Sequence, residues 1–320
     1  MQIRVLTAAD IEQALSMRAA IDAVAAAYGQ LAAGKATMPL RSRFHTPDGV
    51  TLLMPAHLHA SDDFAVKIVS VYDGNPKINL PTVSATVLAL DPKTGMPLAL
   101  MEGDSLTALR TGASGGAAAR YLARKDASNV ALFGAGVQAR AQLQAVMAER
   151  AIERVVIVEP VEATARSLAE DIAKWPKAPE IILDASPKNA VSMADIVLAA
   201  TTAMTPLFDG NDLKPGTHVT GVGSFKPDMQ EIDAVTVQRA RVVVDQREAA
   251  MAETGDIIIG KAVIDAEIGE IVNGSKPGRQ NDEEITFFKS VGLAIQDAAT
   301  AAAVLKAAEE KGLGTVIQMS

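Results

Sequence analysis

Three small residues in one short segment could bring the protein backbone against a phosphate group. Gly134, Gly136 and Ala139 have the spacing G-x-G-x-x-A. The first glycine would permit a tight turn, the second would let the backbone approach a pyrophosphate, and the alanine would let a helix pack closely on a strand. A helix that begins here would direct free N–H groups and a partial positive charge at the phosphates. The segment predicts dinucleotide binding by Gly134, Ala135, Gly136, Val137 and Gln138.

The motif requires a strand before the turn and a helix after it. Residues 130–133 form an apolar run too short for a helix, as in a buried parallel strand, and residues 137–149 favour a helix. The next predicted strand, 155–158, ends in Glu159, where a carboxylate can accept hydrogen bonds from a ribose 2′-hydroxyl. Because these parts occur in order, we interpret the motif as functional rather than as a plain turn and a helix-capping acid.

Glu159 also bears on the choice of cofactor. A carboxylate at this place would repel the 2′-phosphate of NADP(H), so we expect NAD(H), with NADP(H) as the alternative. Two residues favour the alternative: Arg166 follows in the next predicted helix, and Pro160 could turn Glu159 away from the ribose.

Composition excludes several other classes of protein. The chain has 320 residues, enough for two domains, and its net charge of −8 argues against nucleic acid or an anionic membrane as partner. It has no cysteine, which excludes disulfides and thiolate metal sites. The pair His57-x-His59 lacks further ligands at a suitable spacing, so we predict no metal site. The N-terminus has no apolar core of a signal peptide, and we expect a cytoplasmic protein.

From residue 129 onward the predicted elements alternate. Strands are predicted near 130–133, 155–158, 180–183, 195–200, 217–221 and 241–245, with helices near 137–149, 161–174 and 187–193. This alternation predicts an α/β fold with a Rossmann-type, doubly wound parallel sheet.

The N-terminal part has a different pattern. Residues 37–101 contain β-rich segments that are separated by turns and not by helices, so they predict a separate α+β domain. A helix is predicted at 104–124, and a helical tail at 286–312 could pack back on this domain and make it discontinuous. The predicted domains are therefore residues 1–115 with 295–320, and residues 116–294.

Two further strand ends are candidates for the wall of the cofactor cleft. In open α/β sheets, ligands bind at the carboxyl ends of the strands, where the direction of strand order reverses. The candidate residues are Ala200, Thr201 and Thr202 after one strand, and Gly221, Val222, Gly223 and Ser224 after the other. For each of them alone, an ordinary loop residue is the competing interpretation.

Four cations outside the motif could bind a small acid. Lys67 lies within an otherwise apolar strand, where an unpaired charge is rarely buried. Arg41 and Arg43 are two residues apart, on one face of an earlier segment, and Arg110 lies in the helix that leads to the nucleotide domain. A guanidinium binds a carboxylate through two parallel hydrogen bonds. The alternative is that all four are solvated surface charges.

Several blocks of residues carry a resemblance to one family. The chain resembles the ornithine cyclodeaminase/μ-crystallin family over nearly its whole length, and its most specific blocks are L-T-A-x-R-T at 106–111 and G-A-G-x-Q-A at 134–139. The other matching blocks are Met54-Pro55, Val66-Lys67, Glu253-Thr254-Gly255-Asp256, Gly269-Glu270 and Phe288-Lys289-Ser290-Val291-Gly292.

The resemblance implies a substrate-binding domain that forms a homodimer and a nicotinamide-binding Rossmann domain. It implies that Arg41, Lys67 and Arg110 hold the substrate carboxylate. It also implies that Thr82 and Arg110 approach the cofactor, and the matching blocks add Thr111 and Ser290 to the cofactor-binding set. The edge strands expected in the small sheet, which need cover, favour the homodimer as well.

One departure from the family pattern bears on the reaction. Cyclodeaminases of this family carry an aspartate just after the small-residue turn of the fifth strand, where this chain has Phe225, and Asp228 lies further on. The stretch resembles instead the branch that reduces cyclic ketimines. We therefore expect reduction of Δ1-pyrroline-2-carboxylate or Δ1-piperideine-2-carboxylate to L-proline or L-pipecolate. The alternatives are ornithine cyclodeaminase, which forms proline and ammonia, an alanine-type dehydrogenase, and a non-catalytic μ-crystallin-like binding protein.

Overall fold

The chain divides into two compact units. A computed structural model describes residues 2–184 and 186–319. Unit 1 comprises Met1–Arg110 and Leu293–Ser320, and unit 2 comprises Thr111–Gly292. The first division falls after Arg110, inside a helix that is continuous from Gly103 to Leu122, whereas the sequence placed it at 115/116. A continuous helix has no break in its pattern that could mark such a division.

Unit 1 is built on an eight-stranded sheet. Its strands are β1 (Gln2–Leu6), β2 (Ala36–Thr37), β3 (Ser42–Thr46), β4 (Gly49–Leu58), β5 (Asp63–Val71), β6 (Val83–Leu90), β7 (Pro97–Glu102) and β16 (Thr315–Gln318). Their order is β16-β1-β7-β6-β5-β4-β2, and β3 pairs with β4. Only the β1–β7 pair in this sheet is parallel, among the residues that the structure describes.

Helices cover one face of this sheet. They are α1 (Ala8–Ala14), α2 (Met17–Ala32) and α11 (Ala294–Lys311), and the start of α3 (Gly103–Leu122) also belongs to unit 1. Side chains alternate between the two faces of a strand, and in β5 this alternation buries Ala65 and Lys67 while Ile68 is exposed. Lys67 lies opposite Met54 of β4 and Val87 of β6, both buried. The strand pattern therefore places one cation within the apolar layer under α11.

Unit 2 contains a second eight-stranded sheet, in which every pair is parallel. The strands are β8 (Asn129–Phe133), β9 (Arg154–Val158), β10 (Glu180–Leu183), β11 (Ile196–Ala199), β12 (His218–Gly221), β13 (Ala240–Val244), β14 (Ile264–Glu267) and β15 (Ile285–Lys289). The order is β10-β9-β8-β11-β12-β15-β13-β14, so the direction of winding reverses between β8 and β11. This arrangement confirms the predicted doubly wound α/β fold.

Helices pack on both faces of the parallel sheet. They are the rest of α3, α4 (Val137–Glu149), α5 (Glu162–Ile172), α6 (Pro187–Met193), α7 (Ala234–Arg239), α8 (Arg247–Glu253), α9 (Gly255–Ile258) and α10 (Ile268–Val272). Val130 and Leu132 of β8 join one buried apolar cluster, while Ala131 and Phe133 join another. Successive residues of one strand thus feed two cores, which explains the nearly continuous apolar runs of the sequence.

The prediction of a helix over 286–312 was wrong at its start. Residues Ile285–Lys289 form β15, which is inserted between β12 and β13, and α11 begins only at Ala294. All five residues of β15 are buried. A short apolar run of this kind fits a helix or a buried strand equally well, and its neighbours in the sheet decided for the strand. Strands β7, β14 and β16 were also not predicted.

No helix in residues 2–184 and 186–319 combines the length and the apolar character that crossing a membrane requires.

Candidate functional site

Unit 2 has a cavity of about 990 Å³ at the carboxyl ends of β8, β9, β11 and β12. These ends meet at the point where the winding of the sheet reverses, which is where such folds bind ligands. Of the predicted residues, those in the cavity wall are Gly134, Ala135, Gly136, Val137, Gln138, Glu159, Ala200, Thr201, Thr202, Val222 and Gly223.

The turn between β8 and α4 has the geometry that its residue types require. Gly134 has a φ of 93°, and a Cβ at this position would lie 2.6 Å from the carbonyl oxygen of Ala200, so only glycine fits. A Cβ at Gly136 would meet nothing within 4 Å. No side chain caps α4 at Gly136, and the first N–H groups of any helix lack partners within the helix. The turn therefore offers free N–H donors beside open space, which suits a pyrophosphate.

Two further residues of the turn lie in the cavity wall. Val137 has an exposed fraction of 65%. The Oε1 atom of Gln138 is buried and has no hydrogen-bond partner among the described residues. A buried acceptor without a partner is costly, so a ligand that donates a hydrogen bond here would stabilise the site.

Among the described residues that line the cavity, Glu159 is the one that carries a charge. It follows β9, and its Oε1 accepts a hydrogen bond from the N–H of Val161 at 3.0 Å. The side chain of Arg166 bonds to Glu162 at 2.9 Å and is not part of the wall. A 2′-phosphate would thus meet a carboxylate and no cation of the wall.

Four other residues of unit 2 that the sequence assigned to the cofactor do not line this cavity. Gly221 and Ser224 are buried behind the wall, and the Ser224 hydroxyl donates to the carbonyl of Met229 at 2.7 Å. The carbonyl of Thr111 accepts from Nε2 of Gln142. The hydroxyl of Ser290 donates to the Asp245 carboxylate at 2.9 Å. Their direct contact with a cofactor stays a prediction.

In unit 1, Lys67 and Arg110 share one buried carboxylate. The Nζ atom of Lys67 lies 3.0 Å from Oδ1 and 2.9 Å from Oδ2 of Asp297. The Nε atom of Arg110 lies 3.0 Å from Oδ1 of Asp297, and its Nη1 donates to Oε1 of Gln296 at 3.3 Å. Lys67 is 2% exposed and Arg110 is 7% exposed, so the interpretation as solvated surface charges is wrong for both.

The pKa of Lys67 is lowered to about 8. Burial is the largest cause, the positive charge of Arg110 is the second, and Arg41 adds to them, while Asp297 opposes the shift. An ammonium with this pKa is mostly protonated at pH 7, yet it gives up its proton far more readily than an exposed lysine. The cluster therefore carries more positive than negative charge, and the Lys67 ammonium can donate a proton near neutral pH.

Arg41 and Thr82, two further residues of unit 1 that the sequence assigned to the substrate or the cofactor, each lie just before a strand. Arg41 precedes β3 and is half-buried, and its charge reaches Lys67. Arg43, in β3, is exposed. Thr82 directly precedes β6, and its carbonyl accepts the N–H of Tyr72 at 2.8 Å. The role of Thr82 toward the cofactor stays a prediction.

Sequence reasoning missed two acids that organise these sites. Asp297 lies in the first turn of α11, within a stretch that reads as an alanine-rich helix. Glu231 precedes α7 and is fully buried beside the cavity loops. The signal that could have found Asp297 is a single acid in an apolar stretch, because such an acid is rarely buried without a cation.

Among residues 2–184 and 186–319, no group of three or more histidine or acidic side chains has an arrangement that could hold a metal ion.

Comparisons with known proteins give one consistent family. Residues 1–312 match the model of the ornithine cyclodeaminase/mu-crystallin family. A Δ1-pyrroline-2-carboxylate reductase of Bacillus cereus is 38% identical, over 98% of this chain and 99% of its own. The solved structure of the Thermococcus litoralis Δ1-pyrroline-2-carboxylate reductase, in complex with NADH and L-proline, is 44% identical with a TM-score of 0.92, and covers 98% of this chain and 99% of its own. An archaeal alanine dehydrogenase dimer with bound NAD is 35% identical, with a TM-score of 0.92 and full coverage of both chains.

Proposed function

We propose, from the premise that this chain belongs to the ornithine cyclodeaminase/mu-crystallin family, that it is an NADH-dependent ketimine reductase. Its substrate is a cyclic imino acid, Δ1-pyrroline-2-carboxylate or Δ1-piperideine-2-carboxylate, and its product is L-proline or L-pipecolate. The observation that carries the proposal is the buried cluster in which Lys67 and Arg110 share the single carboxylate of Asp297. Similar proteins that bear the name of this reductase support it.

The cluster suits an acid as substrate. Two buried cations meet one carboxylate in direct contact, and Arg41 adds a third positive charge that acts on Lys67. An anionic ligand would offset this excess, and a guanidinium can bind a carboxylate through two parallel hydrogen bonds. Arg41, Lys67 and Arg110 are therefore assigned to the substrate carboxylate.

Lys67 also suits the proton chemistry of the reaction. A C=N carbon accepts a hydride readily only when the nitrogen is protonated, and an ammonium with a pKa of about 8 can hold that proton in place. Asp297 fixes the Nζ atom of Lys67 through both of its oxygens. Bound NADH supplies the hydride. The buried cluster excludes water and orients the imine.

The cavity of unit 2 is assigned to NADH. The N–H groups at the start of α4, beside Gly136, would hold the pyrophosphate, and Glu159 would accept hydrogen bonds from the ribose. Gln138 offers its unpaired Oε1, and Thr201 and Gly223 also line the cavity.

Phe225, in the loop that follows β12, argues against a cyclodeaminase. Phe225 lies in the cavity wall, where its ring offers no acceptor for a substrate amine. Asp228, the nearest acid of this loop in the sequence, is exposed and not part of the wall. Ammonia release would need another group to serve the amine.

One set of assays separates the candidate reactions. We expect loss of NADH absorbance with Δ1-pyrroline-2-carboxylate or its six-membered homologue, and no ammonia from ornithine with NAD⁺. Pyruvate with ammonia and NADH tests the alanine dehydrogenase reaction, which the 36% identity to an archaeal alanine dehydrogenase makes the second candidate. Tight NADH binding without any of these activities would favour a binding protein.

Glu159 should set the cofactor preference. We expect kcat/KM with NADH to exceed that with NADPH by roughly 10- to 100-fold, because two unit charges about 4 Å apart repel by about 4 kcal/mol at an intermediate dielectric, less at a half-exposed rim. Replacing Glu159 with alanine should lower the ratio of kcat/KM with NADH to kcat/KM with NADPH, mainly by raising kcat/KM with NADPH. The exposed Glu162, the first residue of α5, gives the matched control in E162A. A wild-type preference for NADPH that E159A leaves unaltered would refute the assignment.

We also assign the open face of the unit 1 sheet to a homodimer contact. In register across β5, β6 and β7 lie Val66, Leu88 and Leu100, an apolar row on the face opposite the buried Lys67. Leu100 is 37% exposed in the single chain. An alanine dehydrogenase of the same fold is a dimer, which supports the assignment.

Replacing Leu100 with lysine should dissociate the dimer. The change would act twice in a two-fold symmetric contact, and an ammonium buried there without a partner costs several kcal/mol each time, so association should weaken roughly 100-fold or more. Light scattering across micromolar concentrations measures this. The control is L183K, at an exposed leucine on β10 of unit 2. A monomeric wild-type protein would contradict the assignment.

A cytoplasmic location and the absence of nucleic-acid or membrane partners stay predictions from the sequence.

A further inference from the structure

One buried carboxylate joins the two loops that follow β11 and β12. The Oε1 atom of Glu231 accepts hydrogen bonds from the backbone N–H of Thr201 at 2.6 Å and from its hydroxyl at 2.8 Å. The Oε2 atom accepts from the N–H groups of Gly223 at 2.6 Å and Ser224 at 3.1 Å. Glu231 is 0% exposed. These four bonds, here called the Glu231 clamp, tie together loops that are more than 20 residues apart in the chain.

The glycine in the second loop is matched to the Glu231 clamp. A Cβ at Gly223 would lie 2.1 Å from the carbonyl oxygen of Thr201 and 2.5 Å from Oε1 of Glu231. Any other residue would therefore push the two loops apart. Thr201 and Gly223 both line the cavity, so the clamp sets the shape of its wall.

Glu231 is itself anchored to the interior of unit 2. Its backbone N–H donates to Oδ1 of Asp256 at 2.7 Å, and the other oxygen of Asp256 lies 3.0 Å from Nζ of Lys289. The carbonyl of Glu231 accepts the N–H of Leu207, a further residue of the cavity wall. Lys289 and Asp256 are both fully buried. The clamp is thus held by a buried ion pair and does not depend on solvent-exposed groups.

We infer that Glu231 is a positioning residue for the dinucleotide, an inference that rests on the proposed function. Its carboxylate holds the backbone of Thr201 and Gly223 at the distance that the bound cofactor requires. Without this acceptor, the backbone N–H groups of Thr201, Gly223 and Ser224 would need other partners, and the loops would move. A displacement of about 1 Å in a binding group can lower its effect by two orders of magnitude.

The test compares Glu231→Gln with the control Asp195→Asn. Asp195 lies at the end of β11 opposite the Thr201 loop that Glu231 binds. Asp195 directly precedes β11, and its buried carboxylate accepts the N–H groups of Ser128 and Asn129 away from the cavity. We expect E231Q to raise the Kd and the KM for NADH by roughly 10- to 100-fold, with the KM for the imino acid unchanged. D195N should lower the melting temperature without changing the Kd for NADH, measured by fluorescence titration.

The outcomes separate this inference from the proposed function. A folded E231Q with the wild-type Kd for NADH, or an equal loss of NADH affinity in D195N, would overturn the positioning role alone. A wild-type protein that does not bind NADH would overturn the proposed function and the inference with it. If E231Q does not fold, Glu231→Asp keeps the charge but cannot reach both loops. E231D should then raise the Kd for NADH, and an unchanged value would overturn the inference.

Discussion

Replacing Lys67 with methionine should lower kcat/KM for the cyclic imine by about 10²- to 10⁴-fold. Losing a charge-assisted hydrogen bond to the substrate carboxylate costs about 1.5–3 kcal/mol, and losing a positioned proton donor costs about 10²- to 10⁴-fold in rate. Methionine has a similar length and retains the contacts beneath α11. Asp297 keeps Arg110 as its partner, so the variant should fold.

The pH dependence of kcat/KM makes this test specific to the proton. The protonated form of Lys67 is the active one, so wild-type kcat/KM should fall as the pH rises through about 8, the pKa of Lys67 in the free protein. In K67M, kcat/KM should no longer fall as the pH rises through about 8. The matched control is K93M, at an exposed lysine in the turn between β6 and β7. Wild-type activity in a folded K67M would remove Lys67 from the site.

Acidification should destabilise the protein through His218, by about 3 to 5 kcal/mol between pH 6.5 and pH 3. The ring is fully buried in β12, with Nδ1 2.9 Å from the hydroxyl of Thr286 and Nε2 3.0 Å from that of Thr220. Burial, the largest cause, and the positive charges of Arg279 and Arg150 together lower the pKa of His218 to about 3. The folded protein keeps this histidine neutral at pH values where the unfolded chain protonates it.

The direction of the effect follows from which state binds the proton. Between pH 6.5 and about 3 the unfolded chain binds one more proton than the folded protein, so the free energy of unfolding falls as the pH falls. The slope is at most about 1.4 kcal/mol per pH unit. Urea unfolding at pH 7, 6, 5 and 4 measures it. H218Q should flatten the slope by this amount, whereas H45Q, at an exposed histidine in β3, should not. An unchanged slope in H218Q would contradict the buried neutral ring.

The doubly wound sheet of unit 2 could be predicted from local sequence. Its turn needs glycine at 134 because φ is 93° there and a Cβ would strike Ala200, and these requirements act over a few residues. Buried parallel strands such as β8 and β9 appear as short apolar runs because both of their faces are covered. Local patterns of this kind predicted the doubly wound sheet, and the matching blocks predicted the family, which the comparisons confirm.

Local sequence was ambiguous where burial, and not periodicity, selects the structure. Residues 285–289 could form a helix or a strand by their own preferences, and only the open position between β12 and β13 makes them β15. The division into units inside α3 is invisible for a related reason, since a helix has the same local pattern on both sides of it.

The partners of the charged groups were decided by the tertiary structure alone. Lys67 was a candidate from its place in an apolar strand, but its partner Asp297 is 230 residues away, at the start of a helix with no other mark of function. In the sequence, Glu231 is one acid of a loop without a mark of function. Only the structure shows that its carboxylate binds Thr201 and Gly223. Sequence determines a backbone turn because the forces that select it act between near neighbours. The pairing of a buried charge is selected by desolvation, and desolvation depends on which distant segments enclose it.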